Sequence, residues 1–129
     1  MRRSHLDAGR RGEDAAVRWL ESRGWVVHAR GERIAGVEVD ALATDPGSHA
    51  LVVVEVKARR VSRSASRPTV RPEENVNRGK LLRLARAALA LEPRARMSGL
   101  SVRVDVIAVH VSDTGPDDDR IEHFADVTS

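Results

Sequence analysis

Residues 36 to 60, GVEVDALATDPGSHALVVVEVKARR, contain two runs that alternate like β-strands, Val37 to Ala43 and Ala50 to Ala58. Asp45-Pro46-Gly47-Ser48 between them is a turn sequence, so the pair reads as a hairpin. A period of two puts Glu38 and Asp40 on one face of the first strand, and Glu55 and Lys57 on one face of the second. Folding about Gly47-Ser48 sets Asp40 opposite or nearly opposite Glu55. Two carboxylates and an ammonium then converge where Leu51 to Val54 would otherwise announce a dry strand. Ionised groups in such a place need partners, and a divalent cation is the natural one.

The chain around this hairpin is 129 residues long, enough for one core and not for two. It reads as a single domain, residues 1–129, with a core over about 8–111, a flexible basic loop at 59–72 and an acidic loop and tail at 112–129. With 41% hydrophobic and 32% charged residues it has the make-up of a globular protein, not of a disordered one. Absence of cysteine removes disulfides and thiolate zinc sites. MRRSHLDAGRRGED lacks an apolar segment after its positive charges, and no run approaches the ~18 apolar residues of a membrane span. A cytoplasmic protein without a membrane partner is the expectation.

Residues 8 to 23 read as a helix stopped by Gly24, with Ala16, Val17 and Leu20 as its apolar stripe. Glu13 falls three or four residues before the first two, so it projects from the buried stripe and not from the solvent face. Trp25 to Ala29 is a short first strand, and Gly31 to Gly36 a loop into the hairpin. A second helix is expected from about Glu74 to Leu91, ended by Pro93. Leu100 to Val111 alternates as a further strand, and Ile121 to Val127 suits a last edge strand. The order is helix, three strands, helix, strand.

Glu13, Asp40 and Glu55 thus come from three elements and face inward together. Two or three carboxylates are enough for Mg²⁺ or Mn²⁺, which keeps several waters. Asp40 and Glu55 are the expected direct ligands, with the Val56 carbonyl a third; Glu13 binds the metal or holds one of its waters. Such a metal polarises a phosphodiester oxygen and acidifies the attacking water. Lys57 orients or deprotonates that water, or stabilises charge developing on the phosphate. Glu38 sits nearer the loop, as support or plain solvent exposure, and Asp105 suits either support of the site or a salt bridge to an arginine. The five histidines show no paired zinc spacing, and no nucleophile elbow or phosphate-binding glycine loop is present.

The net charge is only +3, but five arginines and no acid lie between Arg59 and Arg71. Arg59, Arg60 and Arg63, with Lys80 and Arg83 recurring along the second helix towards Arg86, are the candidate phosphate contacts. Twenty arginines against two lysines also fit a compositional bias, and the helix stripe also fits an ordinary solvated face. Trp19, Trp25 and Phe124 are the only aromatics, too few for a base-stacking platform.

Taken in order, G-x-x-G-E-D-x-A (Gly9 to Ala16), E-V-D-A-L-A (Glu38 to Ala43), V-V-E-V-K-A-R (Val53 to Arg59), K-L-L-R-L-x-x-A-A (Lys80 to Ala88) and R-V-D-V-I-A-V (Arg103 to Val109) resemble the YraN family. That family is similar in turn to the PD-(D/E)XK nucleases, near the archaeal Holliday-junction resolvases. The resemblance implies an α/β fold with a restriction-endonuclease-like αβββαβ core, a mixed sheet flanked by helices. It implies Glu13, Asp40, Glu55 and Lys57 as the metal-and-catalysis set and nucleic acid as partner. Where the family writes G-E-I-D, Val37 here separates Gly36 from Glu38, so a turn one residue longer is expected; Gly31 or Arg30 stands where it often has asparagine.

Two functions compete. One is a metal-dependent nuclease acting on DNA of unusual shape, such as branches or flaps. The other is a binding module of the same fold, inactive in catalysis, that recognises nucleic acid or a protein. An interaction scaffold with merely compositional basicity is a third, and a homodimer is left open.

Overall fold

The structure is a computed structural model that describes residues 2–61 and 77–128, with side chains for 9–60 and 77–128. Helix α1 (Arg2–Ser22) is followed by strands β1 (Val26–Ile34), β2 (Val37–Asp45) and β3 (Ala50–Val61). Helix α2 (Arg78–Met97), strand β4 (Ser101–Ser112), a 3-10 turn (Pro116–Asp118) and strand β5 (Arg120–Phe124) complete the chain. The five strands form one sheet in the order β1-β2-β3-β4-β5, antiparallel except for the parallel β3–β4 pair. This is the expected αβββαβ order with β5 added at the edge.

The sheet is the middle of three layers. Ala50, Val52 and Val54 of β3, with Ile107, Val109 and Val111 of β4, pack with Ala16 and Leu20 of α1. The alternate residues Leu51, Val53, Val104 and Val106 pack with Leu84, Ala87 and Leu91 of α2. Strands covered on both faces lose the polar alternation of a half-exposed sheet, which is why Val52, Val53 and Val54 are all fully buried. Each contributes roughly 1.5–3 kcal/mol by leaving water.

Both helices stop in the same way. Gly24 and Gly99 take the left-handed conformation (φ +85° and +72°), and the next residue donates back to the last buried turn. Trp25 N–H bonds the Leu20 carbonyl at 3.1 Å, and Leu100 N–H bonds that of Ala95 at 2.8 Å. The second helix therefore runs beyond the stop expected at Pro93 and includes that proline. Its missing N–H leaves a carbonyl free four residues earlier, at Leu89. Leu89 and Pro93 both lie on the exposed side, where the freed carbonyl is open to solvent, while buried Leu91 and Ala95 hold the helix to the sheet.

The first strand also runs further than expected, through Gly31 to Ile34. A two-residue turn, Ala35-Gly36, joins it to Val37, and both turn residues have positive φ (51° and 78°). Val37 is buried and pairs with Ile34, so the residue that departs from the family's pattern lies in the strand and not in the turn. Gly31 (φ +63°), between the pairs Arg30–Ala41 and Glu32–Val39, adopts a conformation open chiefly to glycine and asparagine.

On β4, where it pairs with Val54, buried Asp105 accepts from Arg103 Nε (2.9 Å), His123 Nε2 (2.7 Å) and the Asp126 amide (3.0 Å). Burial alone would raise its pKa, but these bonds hold it below the ordinary value. Of its two expected roles, the salt bridge to an arginine is the one present.

Ala35 carries a Cβ in a turn that glycine or asparagine fills without strain. Ala35→Gly or Ala35→Asn is expected to raise the stability by about 1 kcal/mol in urea unfolding, and Ala35→Val to lower it.

Candidate active site

The β2–β3 ladder ends at the pair Ala41–Val54. Beyond it the N–H of Val56, two residues past Val54, donates to the carboxylate of Asp40, the neighbour of Ala41, at 2.8 Å. A side chain has taken the place of a backbone acceptor, and the two strands part. The alternation of β2 slips at the same point, with Val39 in the core on the α2 side and Ala41 in the core on the α1 side. Glu38 is exposed. Through the opening, groups from both faces of the sheet meet. A cleft of about 760 Å³ is lined by Glu13 of α1, Asp40, Glu55, Lys57, Arg59, Arg60 and Lys80 of α2, among others.

Glu13 reaches the cleft because α1 lies very close to β3. Gly12 is buried, and a Cβ there would overlap that of Ala58. The glycine just before Glu13 is thus a packing requirement that sets the helix down beside the strand. Arg30, which the sequence marks only as a residue near the family's usual asparagine and not as part of the site, lies 2.8 Å from Asp14 and 4.0 Å from Glu13. No local pattern places it there, since only the β1–β2 pairing brings it over the helix.

Glu55 is the most enclosed of the set, with 4% of its side chain exposed. Its Oε2 lies 3.2 Å from Lys80 Nζ, while its buried Oε1 has no hydrogen-bond partner. Burial first, and then the charge of Asp40, push its pKa from the ordinary 4.5 up to about 7, against the pull of Lys80. Burial, followed by Asp40, also raises that of Glu13, with Arg30 opposing. Lys57 lines the same cleft and has no ion pair among the described residues.

Asp40 and Glu55 are therefore brought together, and Glu13 lies near enough to feel the charge of Asp40. Among the described residues no three carboxylate, histidine or cysteine side chains form a group able to hold a metal ion. Two carboxylates with an unpartnered buried oxygen still suit an ion that takes one or two protein carboxylates and keeps its waters. Of the candidate phosphate contacts, Arg59 and Arg60 line the cleft, and Arg60 pairs with Asp113 at 3.2 Å. Arg63 and the rest of the basic loop beyond residue 61 lie outside the described residues. Lys80, Arg83 and Arg86 do not form one stripe: three residues advance about 300° round a helix, so each step slips about 60°. Lys80 faces the cleft, and Arg83 and Arg86 are exposed.

Because its proton affinity is higher folded than unfolded, Glu55 favours folding fully below pH 4.5, and this contribution is lost as pH rises through about 7. In chelator, Glu55→Gln is expected to match wild type near pH 5 and to exceed it at pH 8 by on the order of 2 kcal/mol. Urea unfolding at the two pH values measures this; a constant difference would mean that Glu55 titrates as it does in solution.

Comparison with known proteins places the chain in a family. A UPF0102 protein of Rhodopirellula baltica is 36% identical over 90% of this chain and 66% of its own length, so the chain spans just under two thirds of that relative. UPF0102 proteins of Geobacter sulfurreducens and an Arthrobacter strain are 38% and 39% identical, over 84% and 93% of their own lengths and 90% and 92% of this chain. The family profile matches residues 12–109, from the glycine beside Glu13 to the end of the β4 core. The chain belongs to the uncharacterised protein family UPF0102, which corresponds to the YraN family that its motifs resemble.

Proposed function

We propose that the protein is a metal-dependent nuclease that hydrolyses phosphodiester bonds, with branched or flapped DNA as its favoured substrate class. The observation that carries this reading is the buried, unpartnered Glu55 oxygen beside Asp40 at the parting of β2 and β3, in a cleft bordered by Lys57 and Arg59. In this reading Asp40 and Glu55 hold Mg²⁺ or Mn²⁺, and Glu13 holds it directly or through a water. The ion supplies Lewis acidity at a phosphate oxygen and a more acidic water. The Val56 amide fixes the Asp40 carboxylate, so that its orientation does not depend on substrate. Lys57, one strand repeat from Glu55, supplies a cation to the attacking water or to charge developing on the phosphate. Arg59, Arg60 and Arg83 provide sequence-independent phosphate contacts.

The binding-module reading draws on a different observation. Glu55 already has Lys80 as a counter-charge, and no three-ligand group is formed among the described residues. A carboxylate network that only holds the strands apart would leave the basic surface as the functional part.

Wild type, Asp40→Asn and Lys57→Ala, assayed on labelled duplex, flap and four-way DNA, separate the two. The nuclease reading expects Mg²⁺- or Mn²⁺-dependent cutting that falls at least about 100-fold in both variants. It also expects DNA binding that weakens steeply with salt in all three. Salt-sensitive binding without cutting in wild type would leave the binding module. Absence of salt-sensitive binding would leave neither.

A further inference from the structure

Lys80 stands where helix chemistry disfavours it. Asn77 caps α2 by accepting from the Lys80 amide at 2.8 Å, so Lys80 occupies the third position of the first turn. In a capping box that position carries glutamate or glutamine, and the partial positive charge of a helix start favours acids there. The first turn of α2 has no acid at all. Instead its lysine reaches across the cleft to Glu55 Oε2 at 3.2 Å, while Glu55 Oε1 stays buried and without a partner. A local rule broken at a cleft is offset by an interaction elsewhere, and here that interaction is with a carboxylate that the nuclease reading gives to a metal.

We propose that Lys80 is an exchangeable counter-cation of the site: it holds Glu55 while no divalent ion is present, and leaves it when one binds. This rests on the nuclease reading for the presence of the ion. Lys80 is a positioning residue on this account, since it acts on Glu55 and not on the reacting atoms. Its side chain is 38% exposed, so it can turn away without opening the core. Once released it remains on the cleft wall with Lys57, Arg59 and Arg60, where a phosphate approaching the ion would find it. The chain thereby avoids leaving two adjacent carboxylates without a cation in either state.

Calorimetric titration of Mn²⁺ into wild type, Lys80→Gln, Lys80→Arg, Arg86→Gln and Asp40→Asn tests the exchange without any activity assay. Lys80→Gln is expected to bind the ion roughly tenfold more tightly, as removal of a charged hydrogen-bond competitor requires. Lys80→Arg, which keeps the competing cation, should bind no more tightly than wild type. Arg86→Gln, which removes an exposed charge from the same helix, should change affinity less than twofold. In wild type labelled at lysine nitrogen, the Lys80 ammonium signal should move on addition of Mg²⁺. Binding that is lost in Asp40→Asn but unchanged or weaker in Lys80→Gln overturns the exchange and leaves the metal site intact. An equal gain in Arg86→Gln also overturns it, because the effect is then one of general charge. If neither wild type nor Lys80→Gln takes up Mn²⁺, the metal reading falls and the exchange falls with it.

Discussion

The hydrogen bond from the Val56 amide to the Asp40 carboxylate governs the rest of the site. A half-buried backbone N–H in a sheet still needs a partner, and here an acid does what the neighbouring strand's carbonyl would do in a continued ladder. One bond thus ends the β2–β3 pairing, fixes a carboxylate and opens the sheet. Only because the sheet is open can Glu13 from one layer and Lys80 from the other reach the same cleft. The sheet acts less as a platform than as a partition with a gap, and the charged groups collect at the gap.

Electrostatics at that gap is unbalanced by construction. Burial works against ionisation of Glu55 more than any other influence, and Asp40 adds to it. Lys80 offsets this in part and touches one oxygen only. A protein that merely needed to pin two strands together would be better served by apolar residues, because buried ion pairs seldom add net stability. Retaining two acids in such a place is consistent with a site that exchanges charge. By contrast, Asp105, one ladder position away on β4, is fully hydrogen-bonded, and it ties the β5 tail to β4.

Much of this was legible because the hairpin is local. Period-two alternation and one turn sequence placed Asp40 across from Glu55, and the observed register, Ala41 with Val54, agrees. Glu13 was marked by its position on the apolar stripe of α1. What stayed hidden is tertiary. Gly31 and Gly36 read as loop signals, yet one lies within a strand and the other completes a two-residue turn. Pro93 read as a stop because nothing local reveals that Leu91 and Ala95 bury the next turn. Lys80 read as a phosphate contact, since its ion pair with Glu55 depends on how α2 crosses the sheet. The basic loop past Val61 lies outside the described residues, so Arg63 has no structural account.

The one parallel strand pair gives the chain a temporal asymmetry. Asp40 and Glu55 are neighbours through a short turn, so the acids can meet by closing a loop of a few residues. The β3–β4 ladder opens with Ala50 against Ser101, about fifty residues apart, and Lys80 lies within that excursion. Loop closure on that scale comes late relative to a hairpin. Contact order therefore favours pairing of the acids ahead of docking of the lysine, with solvent protons as the counter-charge in the interval. Proton and ammonium are thus successive partners for the Glu55 carboxylate, and the ion of the proposed function would be a third.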